Sequence, residues 1–275
     1  LTEEDVIAGK LAEYSVLYVT DPCISEAAIK EIKKWVRNGG YIRGTCAAGT
    51  RNQFNETISG LADVFGIKPN PEVQIQQGLW HIRAALNEIT YLDTITATSN
   101  DSFYKVPLGV IGVKLFVKPS KGKVFATFND GTPAGIFNKY GKGTAEFIAT
   151  CPAIAYGKEA KFVWAELKEK WQDESRKWAL GNISNKVDQP VELSEPVVEA
   201  GIYDSQYGTA LILANFTYQP IENLQISLNV PSKPVRITSC EKGLLPFTTS
   251  SLTKKGYHIN LSVELDISDI VLIEF

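Results

Sequence analysis

Residues 14–19 form a short apolar, β-branched and aromatic run that stops at Asp21-Pro22, and this run predicts a buried strand. The apolar period then changes. Ala28, Ile29, Ile32, Trp35 and Val36 recur at helical spacing behind a Ser25 N-cap and an acidic Glu26, and Asn38-Gly39-Gly40 ends the pattern. Residues 41–46 read as the next strand. Strand, helix and strand with short joints make a βαβ unit, which implies parallel pairing. A short helix or turn precedes the first strand at 5–14. A further helix is expected over 57–67, with Leu61, Val64 and Phe65 facing inward.

From residue 73 the pattern becomes short alternating segments at 87–98, 103–107, 110–117 and 123–128. They read as an antiparallel meander inserted in the α/β domain. A hairpin follows, with its turn at 139–143 and a core-like second strand at 144–149. Residues 160–180 carry Trp164, Leu167, Trp171 and Trp178 at helical spacing, and 182–190 read as a linker. Beyond Pro196 come strand-sized runs at 197–203, 209–216, 223–229, 234–240, 257–263 and 270–275, the spacing of a small β-sandwich. The expected organisation is a domain over 1–186 followed by a β-sandwich over 187–275.

Composition narrows the classes. The chain has 275 residues, 44% hydrophobic and 21% charged, which is ordinary globular usage. A net charge of −3 supplies no basic field for nucleic acid or an anionic membrane surface. No apolar window approaches the ~20 residues of a membrane helix. Met is absent, position 1 included, which implies a processed product or a fragment. Only His81 and His258 supply imidazole, which removes most His-based metal sites, and no metal or other cofactor is expected. Cys23, Cys46, Cys151 and Cys240 contain no C-x-x-C pair, so their number permits disulfides without demanding them. The compartment stays open between cytoplasmic and, for a bacterial source, periplasmic or secreted.

Several motifs in order carry a resemblance. They are Tyr14-Ser15-Val16-Leu17-Tyr18, the helix start Ser25-Glu26, the strand start Gly39-Gly40, and Leu61-Ala62-Asp63 leading to Gly66-Ile67. With residues 122–157, this series resembles the trimerisation domain of trimer-forming microbial β-galactosidases. Residues 198–228 resemble the β-sandwich that follows it in many such proteins. The resemblance implies a class I glutamine amidotransferase-like fold, a flavodoxin-like α/β arrangement that normally follows a catalytic (β/α)₈ barrel. It also implies that the family's first strand and helix lie before Leu1. The expected partners are further copies of the chain, possibly three in all by the resemblance, or an N-terminal catalytic domain.

The candidate ligand crevice lies beyond the strand ends, at Asp21, Thr45, Cys46 and Arg51. Cys46, in Gly44-Thr45-Cys46-Ala47-Ala48-Gly49, stands where amidotransferases of this fold place a nucleophile elbow. Their His and acid would fall at 149–153, where this chain has Ala-Thr-Cys-Pro-Ala, so the expectation for Cys46 is a packing residue. Asp21 reads as turn chemistry and Arg51 as a surface salt-bridge residue. Glu146 is expected on the polar face of its strand. The Trp stripe reads as core, subunit contact or sugar platform. The N-x-Ser/Thr patterns at Asn55, Asn182, Asn215 and Asn260 decide nothing about compartment.

The leading reading is a non-catalytic oligomerisation region of a glycosidase-like protein. One alternative is a small-molecule hydrolase or amidotransferase-like enzyme using Cys46. The other is a carbohydrate-binding module using Tyr203, Tyr207, Phe216 or Tyr218.

Overall fold

The computed structural model describes residues 1–77, 89–98, 103–160, 170, 173–183, 186–187, 189–252 and 256–275. The chain divides into two compact units, one of Leu1–Glu159 with Gln172–Val187, the other built on Asp188–Phe275. Among the described residues no helix is long and apolar enough to cross a membrane.

The first unit opens with helix α1 (Glu3–Ile7), closed at its start by a capping box between Thr2 and Asp5. Strand β1 (Val16–Val19), helix α2 (Glu26–Asn38) and strand β2 (Tyr41–Thr45) then form the expected crossover, and β1 pairs with β2 in parallel. Ser25 accepts a hydrogen bond from the Ala28 amide, and Gly39, at φ 131°, stops the helix. A Cβ there would be strained, so glycine is the natural terminator. Ala28, Ile29, Ile32 and Val36 are buried, as their spacing requires.

The helix expected over 57–67 shrinks to α3 (Ala62–Phe65). Gly60 sits at φ 41°, and a Cβ on it would stand 1.6 Å from the Gly49 carbonyl oxygen, so the chain turns there instead of starting a helix. Leu61, Val64 and Phe65 still point into the core.

The inserted meander takes another form. Strand β3 (Glu72–Gln76) pairs with β6 (Val113–Phe116) as a separate two-stranded ribbon. Strands β4 (Asp93–Ala97), β5 (Leu108–Val110), β7 (Lys123–Phe128), β8 (Pro133–Tyr140) and β9 (Gly143–Ile148) join the main sheet. Its order is β1-β2-β9-β8-β7-β4-β5. The pairings β1–β2 and β2–β9 are parallel and the others antiparallel, so the sheet is mixed. Helices α4 (Pro152–Ala160) and α5 (Asp173–Leu180) follow.

Every residue of β9 is buried, Glu146 included. The expected outward placement of Glu146 therefore fails. A central strand covered on both faces has no polar side for alternation to mark.

The second unit is a β-sandwich of a four-stranded and a five-stranded sheet, all antiparallel. The first holds β10 (Val191–Leu193), β13 (Ile221–Val230), β17 (Gly256–Leu265) and β16 (Phe247–Leu252). The second holds β11 (Val198–Ser205), β12 (Gly208–Asn215), β18 (Ser268–Glu274), β14 (Arg236–Ser239) and β15 (Gly243–Leu244). Leu224, Ile226, Leu228 and Val230 alternate inward on β13 and meet Ile259, Leu261, Val263 and Leu265 of β17 in the core. The sequence reading omitted β10, β15 and β16, which lie at sheet edges where burial imposes little pattern.

Candidate functional site

The loops that follow β1 and β2 run side by side and bring Asp21, Thr45, Cys46 and Arg51 into one layer. Asp21 Oδ1 accepts a hydrogen bond from the Cys23 amide at 2.7 Å, the turn role expected of it. The segment after Cys46 returns alongside residues 21–24. The Gly49 amide donates to Asp21 O at 3.0 Å, the Arg51 amide to Pro22 O at 2.9 Å, and the Ile24 amide to Arg51 O at 2.9 Å. Arg51 forms no ion pair among the described residues. Its guanidinium donates to Asn55 O and Oδ1, at 3.0 and 3.2 Å. The reason is local: Asn55, at φ 62°, turns its carbonyl and amide oxygens back toward residue 51.

Cys46 directly follows β2 with φ 59°, a left-handed backbone uncommon outside glycine. Its amide donates to Ile148 O and Thr150 O, at 2.9 and 3.1 Å, which ties the turn to the end of β9. This is the backbone of an elbow. Its sulfur lies 3.2 Å from Cys151 Sγ. Among the described residues no imidazole or carboxylate hydrogen-bonds to it. The contact with the Cys151 thiol, together with burial, raises Cys46 far above the usual thiol range. An activated nucleophile needs the opposite shift. The thiol of Thr45's neighbour is thus held protonated, and Thr45 itself closes the turn through its carbonyl, which accepts from the Ala48 amide at 3.2 Å.

His81 lies outside the described residues. His258 belongs to the second unit, with Ser227 Oγ at 3.0 Å and Asn229 Oδ1 at 2.9 Å from its ring nitrogens. Among the described residues no group of three His, Cys, Asp or Glu side chains could hold a metal ion.

A second polar centre escaped the sequence reading as a unit. Arg43 on β2 and Glu146 on β9 stand directly opposite in the parallel register and form a buried ion pair. Tyr104 donates to Glu146 Oε2 at 3.0 Å. The Arg43 guanidinium also donates to Trp178 O and, at 3.2 Å, to Ala179 O, and the Tyr18 hydroxyl donates to Leu180 O at 2.7 Å. These carbonyls end α5, where the helix has no further N–H donors of its own to offer them. A buried cation thus caps a helix C-terminus and pins it to the sheet. The available signal was an Arg inside an apolar strand, Tyr41-Ile42-Arg43, matched by Glu146 inside another.

Trp178 is fully buried, its indole N–H donates to Val106 O at 2.7 Å, and its ring lies 4.5 Å from Tyr104. The core reading therefore holds for Trp178, while Trp164, Leu167 and Trp171 lie outside the described residues. Tyr203, Tyr207, Phe216 and Tyr218 are exposed on the second unit.

Comparison with solved structures finds relatives covering nearly the whole chain. Gan42B, a GH42 β-galactosidase from G. stearothermophilus, is 16% identical with a TM-score of 0.64 over 100% of this chain and 33% of its own. A β-galactosidase from Bacillus circulans sp. alkalophilus is 14% identical with a TM-score of 0.63, over 97% of this chain and 34% of its own. An α-L-fucosidase isoenzyme 2 from Paenibacillus thiaminolyticus is 10% identical with a TM-score of 0.58, over 96% and 41%. At these identities the likeness is one of fold. The chain spans about a third of the length of the β-galactosidases it matches. No curated protein sequence matches it. Over residues 5–174 the sequence matches the β-galactosidase trimerisation domain, and the chain therefore belongs to that family, a non-catalytic part of GH42-type enzymes.

Proposed function

We propose that this chain is the oligomerisation region of a β-galactosidase-like glycoside hydrolase and assembles as a homotrimer, with a catalytic domain supplied by the longer protein. The observation that carries this reading is the family match over residues 5–174. The surroundings of Cys46 favour it over the hydrolase alternative, because its own thiol is raised far above the usual range and among the described residues no imidazole or carboxylate hydrogen-bonds to it. We assign subunit contact to strand β3. All its residues are exposed, and Val73 and Ile75 keep 57% and 41% of their surface in solvent. Two exposed apolar side chains on a strand with an uncovered face favour association, although the other three residues of β3 are polar.

In the same reading, residues 1–186 form a glutamine amidotransferase-like, flavodoxin-like domain and 187–275 its trailing sandwich. The crossover β1–α2–β2, the parallel β2–β9 pair and the Cys46 elbow support this assignment.

Light scattering and sedimentation of the chain at about tens of micromolar test the assembly. A mass of three chains is expected, and a monomer throughout that range overturns the proposal. The double substitution Val73→Asp with Ile75→Asp should yield a monomer with unchanged circular dichroism. A trimer that survives it removes β3 from the interface.

A further inference from the structure

The Cys46–Cys151 pair is more than a packing contact. The two residues are 105 apart in sequence, and their sulfurs meet at 3.2 Å because β2 and β9 are parallel neighbours that end at the same edge of the sheet. The approach is held from both sides. Cys46 is fixed by two backbone hydrogen bonds from its amide and by its left-handed turn. Cys151 directly precedes Pro152, the first residue of α4, and its carbonyl accepts from the Ile154 and Ala155 amides at 3.2 and 3.4 Å. Both cysteines are half-buried and pack against the core. Cys23 and Cys240 have no such partner sulfur and serve as internal references.

We propose that Cys46 and Cys151 form a redox-active dithiol that closes reversibly to an intramolecular disulfide by exchange with small-molecule disulfides such as glutathione disulfide. Cys151 is the attacking member. Close contact with the Cys46 sulfur lowers Cys151 below the usual thiol range, and a helix N-terminus favours the thiolate. The Cys151 thiolate attacks one sulfur of the glutathione disulfide, a mixed disulfide forms, and one glutathione thiolate leaves and takes up the first proton. Cys46 then gives its proton to solvent, and its sulfur attacks the Cys151 sulfur. The new bond joins Cys46 to Cys151, and the second glutathione thiolate leaves and is protonated. The protein dithiol is oxidised by two electrons and the glutathione disulfide is reduced to two molecules of glutathione. The bond would clamp the ends of β2 and β9 together at the edge from which the 46–51 loop and α4 depart. Excess reduced glutathione reverses both steps.

The experiment uses the full, reduced chain in buffers of graded glutathione to glutathione disulfide ratio, quenched with acid, alkylated and mapped by peptide mass spectrometry. As the buffer becomes oxidising, alkylation of Cys46 and Cys151 should fall together by about tenfold while Cys240 keeps its label, because an intramolecular partner outcompetes a mixed disulfide. A linked peptide pair lighter by about 2 Da than the sum of the two thiol peptides identifies the bond. In Cys46→Ala, Cys151 should instead retain glutathione. Full alkylation of both thiols at ratios that modify Cys240 overturns the proposal, as does loss of one label without the other. The wild-type map decides the question even where the variant fails to fold.

Discussion

Glu146→Gln isolates the buried ion pair that fastens α5 to the sheet. The Arg43 side chain is 0% exposed and that of Glu146 7%, so neither charge is screened by water. The amide keeps the size of the carboxylate and one acceptor oxygen for Tyr104. It leaves the guanidinium buried with no counter-charge, a change that costs about 3–5 kcal/mol. A domain is stable by about 5–15 kcal/mol, so this one substitution removes a large share of the first unit's stability. The control is Glu274→Gln. Its Arg236 pair is bidentate but 59% and 40% exposed, and exposed pairs contribute about 0.2–1 kcal/mol. Arg43→Met with Glu146→Met removes both charges. What remains is the loss of donors to the Trp178 and Ala179 carbonyls, about 1–3 kcal/mol for each one left unpaired. The double variant should therefore be destabilised by less than the sum of the two single variants. Urea titrations followed by circular dichroism, with hydrogen exchange of the β2 and β9 amides, measure these values unit by unit. A Glu146→Gln cost no larger than that of Glu274→Gln refutes the reasoning.

Gly181 holds φ 78°, and a Cβ there would stand 2.8 Å from both Arg43 Nη1 and the Tyr41 hydroxyl, so Gly181→Ala should lower stability by about 1–3 kcal/mol in the same titration. Ser25→Ala should cost about 1 kcal/mol through loss of the α2 cap and Ser25→Gly only a few tenths, an order that thermal melts can read directly. Lys114 bonds Asp93 at 2.6 Å and Asp130 at 2.7 Å. Lys114 and Thr132 hold the Asp130 carboxyl well below its ordinary value. At Asp93 burial pushes upward but is outweighed by hydrogen bonds from Lys114 and the Thr94 and Asn129 amides. Both folded values are depressed, so their stabilisation is complete above about pH 4, near the unfolded carboxylate value, and is lost as pH falls toward the folded values. Melting temperature should decline below about pH 4, and Lys114→Met should shrink that decline; an unchanged acid limb in the variant counts against the cluster's role.

Local pattern made several elements legible. The apolar spacing of α2, the Ser25 cap and the Gly39 stop are interactions within one stretch of chain, so the helix appeared at its observed bounds. The long sandwich strands were visible because one face is buried and one is wet. The helix expected over 57–67 is confined to Ala62–Phe65 because Gly60 packs against the Gly49 backbone, a contact between two turns that periodicity does not report. The meander departs from its expected form for the same reason. Strandness is local, but which strands pair is not, and β3 with β6 left the sheet that β4, β5 and β7 joined.

The candidate site divides along the same line. Asp21-Pro22-Cys23 announces a turn, and Gly44 to Gly49 announces a tight bend at a strand end, because those residue types set the backbone by themselves. The sequence determined the βαβ crossover, the bend at Cys46, the sandwich and the family. Only the tertiary structure decided that Glu146 faces Arg43 and that Cys46 faces Cys151. Each pair is made by the parallel register of β2 against β9. That register depends on packing summed over the whole sheet, and the residues it brings together lie some hundred positions apart.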